Sequence, residues 1–97
     1  MINEILPEDL KARLAASENV VLLDVRQPEE HAEKSIPNSM LIPLGELPMR
    51  LSELELLRDK EIIVYCRSGN RSGQACMFLQ MQGFAKPVNL RGGMLVW

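Results

Sequence analysis

The sequence predicts an α/β domain in which a parallel β-sheet of about five strands is flanked by helices on both faces. Short apolar segments alternate along the chain with segments of helical spacing or with polar connections. The apolar segments are nearly continuous, as is typical of strands buried on both faces. Strands and helices that alternate with tight connections indicate a parallel sheet covered by helices. We expect one domain over residues 1–97.

Four apolar segments are predicted strands: NVVLLDVR at 19–26, SMLIPL at 39–44, EIIVYC at 61–66 and KPVNL at 86–90. In open parallel sheets, ligands bind beyond the carboxyl ends of the strands, where the helix N-termini gather. The functional residues are therefore expected at the ends of segments 19–26 and 61–66.

Three segments have helical spacing of their apolar residues: 8–16, 44–57 and 71–82. The last of these ends at Gly83, in the manner of a helix C-cap. It contains Met77 and Met81, four residues apart, which we expect to face the core. The polar segment QPEEHAEKS at 27–35 is predicted to be a connection with one helical turn.

Composition excludes several functional classes. The net charge of −2 argues against nucleic-acid binding, which needs a positive surface field. No apolar run approaches the ~18–20 residues of a membrane span. The start MINEILPEDL does not have the basic and apolar regions of a secretory signal, so we expect a cytoplasmic protein. With two cysteines and one histidine, we expect no metal, no cofactor and no disulfide.

The segment CRSGNRS at 66–72 has the features of a thiolate site. Cys66 stands between a predicted strand and a helix, whose first N–H groups have no partner within the helix and whose dipole is positive at this end. Arg67 and Arg71 add permanent charges, and only the thiolate form of cysteine is a good nucleophile. Gly69 and Asn70 tolerate positive φ, so successive N–H groups can converge on one anion.

The alternative interpretation is that Cys66 is a small buried residue at the end of a strand, with solvated arginines around it. The arginines and the glycine lie inside the turn, where a simple connection would not require them, and this favours a function. Cys76 lies among apolar residues of the predicted helix and is expected to pack in the core.

Other polar residues fall near the same edge of the predicted sheet. Asp24 and Arg26 close the first predicted strand, and we expect them to support the loop through ion pairs, for example between Arg26 and Glu30. Lys34 is a candidate for steering anions, and His31 is expected to be solvated. Arg91 could reach the site or lie in a solvated turn; the sequence leaves both open.

Four motifs together, in register over almost the whole chain, resemble the rhodanese domain, a sulfurtransferase family. They are DVRQPEEH at 24–31, SIPNSMLIPL at 35–44, IIVYCRSGNRS at 62–72 and NLRGGMLVW at 89–97. Two positions depart from the family pattern: Lys34-Ser35 replaces a frequent glycine-histidine pair, and His31 replaces an aromatic residue. The family usually continues with more helix after its late tryptophan, so the last helix is expected to be abbreviated or absent here.

The resemblance implies a thiosulfate sulfurtransferase with Cys66 as its nucleophile. Cys66 would take sulfur from an anionic, thiosulfate-like donor as a persulfide and pass it to cyanide, a thiol or a protein thiol. Arg67 and Arg71 would attract the donor. The implied persulfide-stabilising residues are Arg67, Ser68, Gly69, Asn70, Arg71 and Ser72, with Asp24 and Arg26 in support.

Three alternatives stay open at this point. Phosphatases and arsenate reductases of similar fold use Cys-x5-Arg, whereas Cys66 and Arg71 form Cys-x4-Arg, a tighter ring that should suit one sulfur atom better than a phosphate. A regulatory binding module on the same fold would not need Cys66. A relay that delivers sulfur to a single protein partner would use the same thiolate, and the sequence does not separate it from the enzyme.

Overall fold

The computed structural model describes residues 2–97, and it has the predicted α/β architecture. In the described part of the chain, five parallel strands form one sheet in the order β1-β5-β4-β2-β3. The strands are β1 (Asn3–Ile5), β2 (Val21–Asp24), β3 (Met40–Leu41), β4 (Glu61–Tyr65) and β5 (Lys86–Leu90). The short edge strand β1 was not among the predicted segments, because three mostly polar residues carry no strand pattern.

Three α-helices and three 3₁₀ segments connect the strands. The α-helices are α1 (Pro7–Ala15), α2 (Pro28–Glu33) and α3 (Asn70–Met81). The 3₁₀ segments are Leu44–Glu46, Leu51–Leu57 and Gly93–Val96. The predicted helical turn in segment 27–35 is confirmed as α2.

The central strand β4 shows why the sheet is covered on both faces. Its side chains alternate, so that Ile62 and Val64 join one core cluster while Ile63 and Tyr65 join another. The first cluster includes residues of α3 and of the 3₁₀ segments, and the second includes Leu10 of α1. The prediction of helices on both faces is therefore confirmed.

Segment 44–57 has its leucines buried as the spacing suggests, but it does not form one continuous α-helix. Leu47 and Leu54 are fully buried, whereas the backbone follows two separate 3₁₀ segments. Pro48 interrupts the segment because proline has no N–H to donate to a carbonyl four residues earlier.

The prediction that Met77 and Met81 face the core is wrong. They are 57% and 81% exposed, because α3 buries the opposite face. That face carries Ser72, Ala75, Cys76 and Leu79, which follow the three- and four-residue spacing of one helical stripe. The helix has apolar residues on both sides, so spacing alone did not identify the buried one.

None of the helices in residues 2–97 is long and apolar enough to cross a membrane. Over the same residues, no group of three or more histidine, cysteine or acidic side chains is placed to hold a metal ion.

Candidate active site

Cys66 directly follows β4, which lies between β2 and β5 in the sheet, and three further residues lead into α3. We call residues 66–72 the cysteine loop. The candidate site is thus at the carboxyl edge of a central strand, where the sequence predicted it. Gly69 precedes the helix with φ of +103°, a conformation that side chains rarely adopt. This turn points the first N–H groups of the helix back toward the cysteine.

The Cys66 sulfur lies within a set of hydrogen-bond donors. The Gly69 N–H donates to Sγ at 3.1 Å, and the Ser72 Oγ lies 3.3 Å from Sγ. Burial alone would raise the pKa of the Cys66 thiol. The Ser72 hydroxyl and the N–H groups of Ser72, Gly69 and Ser68 outweigh burial and lower that pKa below its ordinary value.

Cys66 has no exposed surface and packs with the core residues Val64 and Ala75. The structure therefore has a feature of each interpretation of the sequence: the residue is buried, and main-chain N–H groups face its sulfur. A donor reaches Sγ only when part of this cover moves.

The segment after β5, which begins with Gly92 and Gly93, packs against the backbone of the cysteine loop. The N–H of Met94 donates to the Cys66 carbonyl and that of Leu95 donates to the Arg67 carbonyl, each at 2.9 Å. A Cβ at Gly93 would collide with the Cys66 carbonyl oxygen and would lie 2.6 Å from that of Arg67. Glycine is required at position 93 because two backbones approach this closely.

Arg71 forms a bidentate ion pair with Glu30 of α2, with N–O distances of 2.8 and 3.0 Å. The Arg71 guanidinium lowers the pKa of Glu30 to about 2. Arg67 is exposed and has no ion-pair partner among the described residues. The two arginines of the loop are thus placed differently: one is tied to α2 and the other is free.

Asp24 and Arg26 support the edge of the site as a pair. Arg26 donates to the Asp24 carboxylate through Nε and Nη2 at 2.9 to 3.1 Å, and Nη2 also donates to the Lys34 carbonyl. The predicted pair between Arg26 and Glu30 is wrong, because Asp24 is closer to Arg26 and Arg71 holds Glu30. The prediction of a solvated His31 is also wrong: its Nδ1 lies 2.9 Å from Asp24 Oδ2.

A cavity of about 350 Å³ opens beside the loop. Five charged and two apolar residues line it: Arg26, Glu30, Glu33, Lys34, Arg67, Met94 and Leu95. Lys34 therefore lies at the position from which it could steer anions. Arg91 does not line this cavity, and its side chain is 68% exposed, 4.0 Å from Glu4.

The structure also brings Asn89 of β5 into the site, although the sequence analysis did not single it out. Asn89 is 6% exposed, and its amide contacts both Ser72 and the Gly69 carbonyl. A polar residue within the apolar strand KPVNL, three positions before Gly92, was the signal that could have identified it. Asn70 begins α3 with an exposed side chain, and Ser68 is exposed in the turn.

Comparisons with known proteins identify the family of the chain. The family model of the rhodanese-like domain matches residues 6–97. The chain is 45% identical over 97 residues to a sulfurtransferase of Allochromatium vinosum, covering all of this chain and 89% of that protein. It is 44% identical over 96 residues to the putative sulfurtransferase YtwF of Bacillus subtilis, covering 99% of this chain and 90% of the relative.

Among solved structures, a rhodanese-like domain protein from Staphylococcus aureus superposes with a TM-score of 0.91 at 33% identity, over 99% of this chain and 91% of that one. The match extends over nearly the full length of both chains. The chain therefore belongs to the rhodanese-like domain family.

Proposed function

We propose that this protein is a sulfurtransferase that takes a sulfane sulfur from thiosulfate or a related donor onto Cys66 and passes it to a thiophilic acceptor. One observation carries the proposal: a buried thiol whose pKa is lowered by main-chain N–H groups and the Ser72 hydroxyl. Buried cysteines without such donors keep their proton and are inert. The named sulfurtransferases among its relatives support the same assignment.

The reaction has two displacement steps. The Cys66 thiolate attacks the outer sulfur of thiosulfate, the S–S bond of the donor breaks, and sulfite leaves with the electron pair. The acceptor, cyanide or a thiolate, then attacks the terminal sulfur of the persulfide, and Cys66 departs as a thiolate again. No external oxidant or reductant is needed, because each step moves one sulfur atom between two nucleophiles.

The residues of the loop stabilise the charge at each stage. The N–H groups of Ser68, Gly69 and Ser72 face the sulfur and would remain in place for a persulfide one atom longer. Arg67 and Lys34 line the cavity beside the loop and offer positive charge to an anionic donor. Of the two carboxylates in the same lining, Glu30 is neutralised by Arg71, and Glu33 offsets part of this charge. Arg71 is paired with Glu30, so it would bind the donor only if the donor replaced the Glu30 carboxylate.

A relay to a protein partner is the second candidate, and the complete burial of Cys66 favours it. Transfer requires the cover over the sulfur to move, and the contacts of a docked protein would supply binding energy for that movement. For either role we place the protein in the cytoplasm, where reducing conditions keep Cys66 and Cys76 as free thiols. A thiol of a protein or of a small molecule would then be the physiological acceptor.

The test is thiocyanate formation from thiosulfate and cyanide. We expect Cys66→Ser to abolish it, since serine cannot form the persulfide, and Cys76→Ser to retain it. Thiocyanate formed by Cys66→Ser at the original rate would overturn the proposal. Slow turnover with cyanide, together with fast transfer to a protein thiol, would favour the relay.

A further inference from the structure

Asn89 connects β5 to the cysteine loop through both ends of its amide. Its Nδ2 donates to the Gly69 carbonyl at 3.1 Å, and its Oδ1 accepts from the Ser72 hydroxyl at 2.5 Å. The Gly69 carbonyl can only accept, so the amide orientation is fixed, with Nδ2 toward Gly69 and Oδ1 toward Ser72. The Ser72 Oγ also lies 3.3 Å from the sulfur of Cys66.

The Ser72 hydroxyl has one hydrogen and two neighbours that can accept it. When the hydrogen points to Asn89, the lone pairs of Oγ face the sulfur, and a neutral Cys66 thiol can donate to them. When Cys66 is a thiolate, the sulfur needs the hydrogen instead. Asn89 Oδ1, which is buried, then loses its donor, and this has a cost.

We propose that Asn89 is a positioning residue that holds the Ser72 hydrogen while Cys66 is a neutral thiol and releases it to the sulfur when Cys66 ionises. The inference rests on the proposed function, in which Cys66 is the nucleophile. Through this competition, Asn89 opposes the resting thiolate and limits how far the loop acidifies Cys66. When the outer sulfur atom of the persulfide is transferred to the acceptor, Cys66 departs as a thiolate and again accepts the hydrogen bond of the Ser72 hydroxyl.

The charged and titratable groups around the sulfur come from the loop and from α3. Arg71 and Cys76, both on α3, interact electrostatically with Cys66. Arg67 is the adjacent charged residue in the loop. From the 3₁₀ segment behind it, Met94 and Leu95 contribute main-chain N–H groups to the loop carbonyls but no charge.

A purely structural role for Asn89 would be to tie β5 to the start of α3. The two roles differ in their dependence on Ser72. If Asn89 only tied β5 to α3, replacing it would change the pKa of Cys66 by the same amount whether or not position 72 has a hydroxyl. Competition for one hydrogen requires that hydroxyl, so replacing Asn89 should have no effect on the acidity of Cys66 once Ser72 is removed.

The test is the pH profile of Cys66 alkylation by iodoacetamide, with each variant normalised to its own plateau at high pH. The plateau reports access to the buried sulfur, and the midpoint reports its acidity. The variants are Asn89→Leu, of nearly the same size, Asn89→Ala as a second choice, Ser72→Ala, and the Ser72→Ala/Asn89→Leu double variant. Thiosulfate is absent, so a failure of sulfur transfer would not affect the result.

Below the midpoint, we expect Asn89→Leu to be alkylated about three- to tenfold faster relative to its plateau, the factor that corresponds to one hydrogen bond. Ser72→Ala should move the profile to higher pH, and the double variant should match Ser72→Ala. The proposal is overturned if Asn89→Leu moves the midpoint equally with and without Ser72, if it moves it to higher pH, or if Ser72→Ala leaves it unchanged.

Discussion

Cys66 and Cys76 are both free thiols without exposed surface, and both belong to the same core cluster. Burial raises the pKa of Cys76 to about 12. Burial acts on Cys66 in the same direction, yet the pKa of Cys66 falls below its ordinary value. Cys66 stands before a helix, where N–H groups have no helical partner, whereas Cys76 lies within α3.

The difference teaches that the direction of the neighbouring main chain, and not burial, separates the acidity of these two cysteines. The N–H groups of Gly69 and Ser72 are available to the sulfur because the helix begins there. Ten residues later, the equivalent groups are engaged within the helix. Three predictions test this comparison, beginning with the largest effect.

The first prediction concerns selective labelling. At neutral pH, iodoacetamide should modify Cys66 faster than Cys76 by on the order of a thousandfold, because a thiol with a pKa of about 12 is almost entirely protonated while the pKa of Cys66 lies below its ordinary value. Peptide mass spectrometry at short times would measure the ratio. Similar rates at the two cysteines would mean that global unfolding exposes both, and the contrast in acidity would then not govern reactivity.

The second prediction concerns the close approach of two backbones at Gly93. Gly93→Ala should lower the free energy of unfolding by about 2–4 kcal/mol, because the new Cβ collides with loop carbonyls and φ is +57°. Sulfur transfer should fall as well, since the carbonyls belong to Cys66 and Arg67. Urea unfolding and thiocyanate formation would measure the two effects.

Gly45→Ala is the matched control, because a Cβ at Gly45 would meet nothing within 4 Å. It should leave both the unfolding midpoint and the transfer rate unchanged. If Gly93→Ala behaved like this control, the conformation of the cysteine loop would not depend on its contact with the segment that contains Gly93.

The third prediction concerns the ion pair that restrains Arg71. Hydrogen bonds from Arg71 lower the folded-state pKa of Glu30 from 4.5 to about 2, so the pair stabilises the fold above about pH 4.5 and loses this contribution as the pH falls toward 2. Glu30→Gln should cost about 1 kcal/mol at neutral pH. Its deficit relative to the wild type should shrink in acid, as denaturant unfolding at several pH values would show.

Glu30→Gln should also shift Cys66 alkylation slightly toward lower pH, because the charge of Arg71 is no longer neutralised beside the sulfur. Glu53→Gln is the control, since Glu53 is exposed and its ion pair with Arg50 does not involve the cysteine loop. An equal shift in both variants would exclude a specific role for the pair at Cys66.

The sequence predicted the sheet and the location of the site because both depend on local patterns. Buried parallel strands are continuous apolar segments, and the end of such a strand followed by glycine and arginine marks a ligand edge. The same patterns did not identify β1, which is held mainly by its pairing with β5. They also placed Met77 and Met81 in the core, because α3 has apolar residues on two sides.

The partners of the charged residues were harder to predict, because they depend on tertiary distances. In the sequence, both Asp24 and Glu30 are close enough to Arg26 to pair with it. Only the fold shows that Arg71, forty-one positions from Glu30, forms the ion pair with that carboxylate. Asn89 is a similar case. Its position in β5 was predicted, whereas its contact with Ser72 arises from the packing of β5 beside α3.

The central claim is that a depressed pKa makes Cys66 the residue that carries sulfur. The most direct measurement is the intact mass of the protein after incubation with thiosulfate. We expect one added sulfur atom in the wild type and in Cys76→Ala, removed by cyanide, and none in Cys66→Ala. A sulfur atom retained by Cys66→Ala, or lost from Cys76→Ala, would contradict the account.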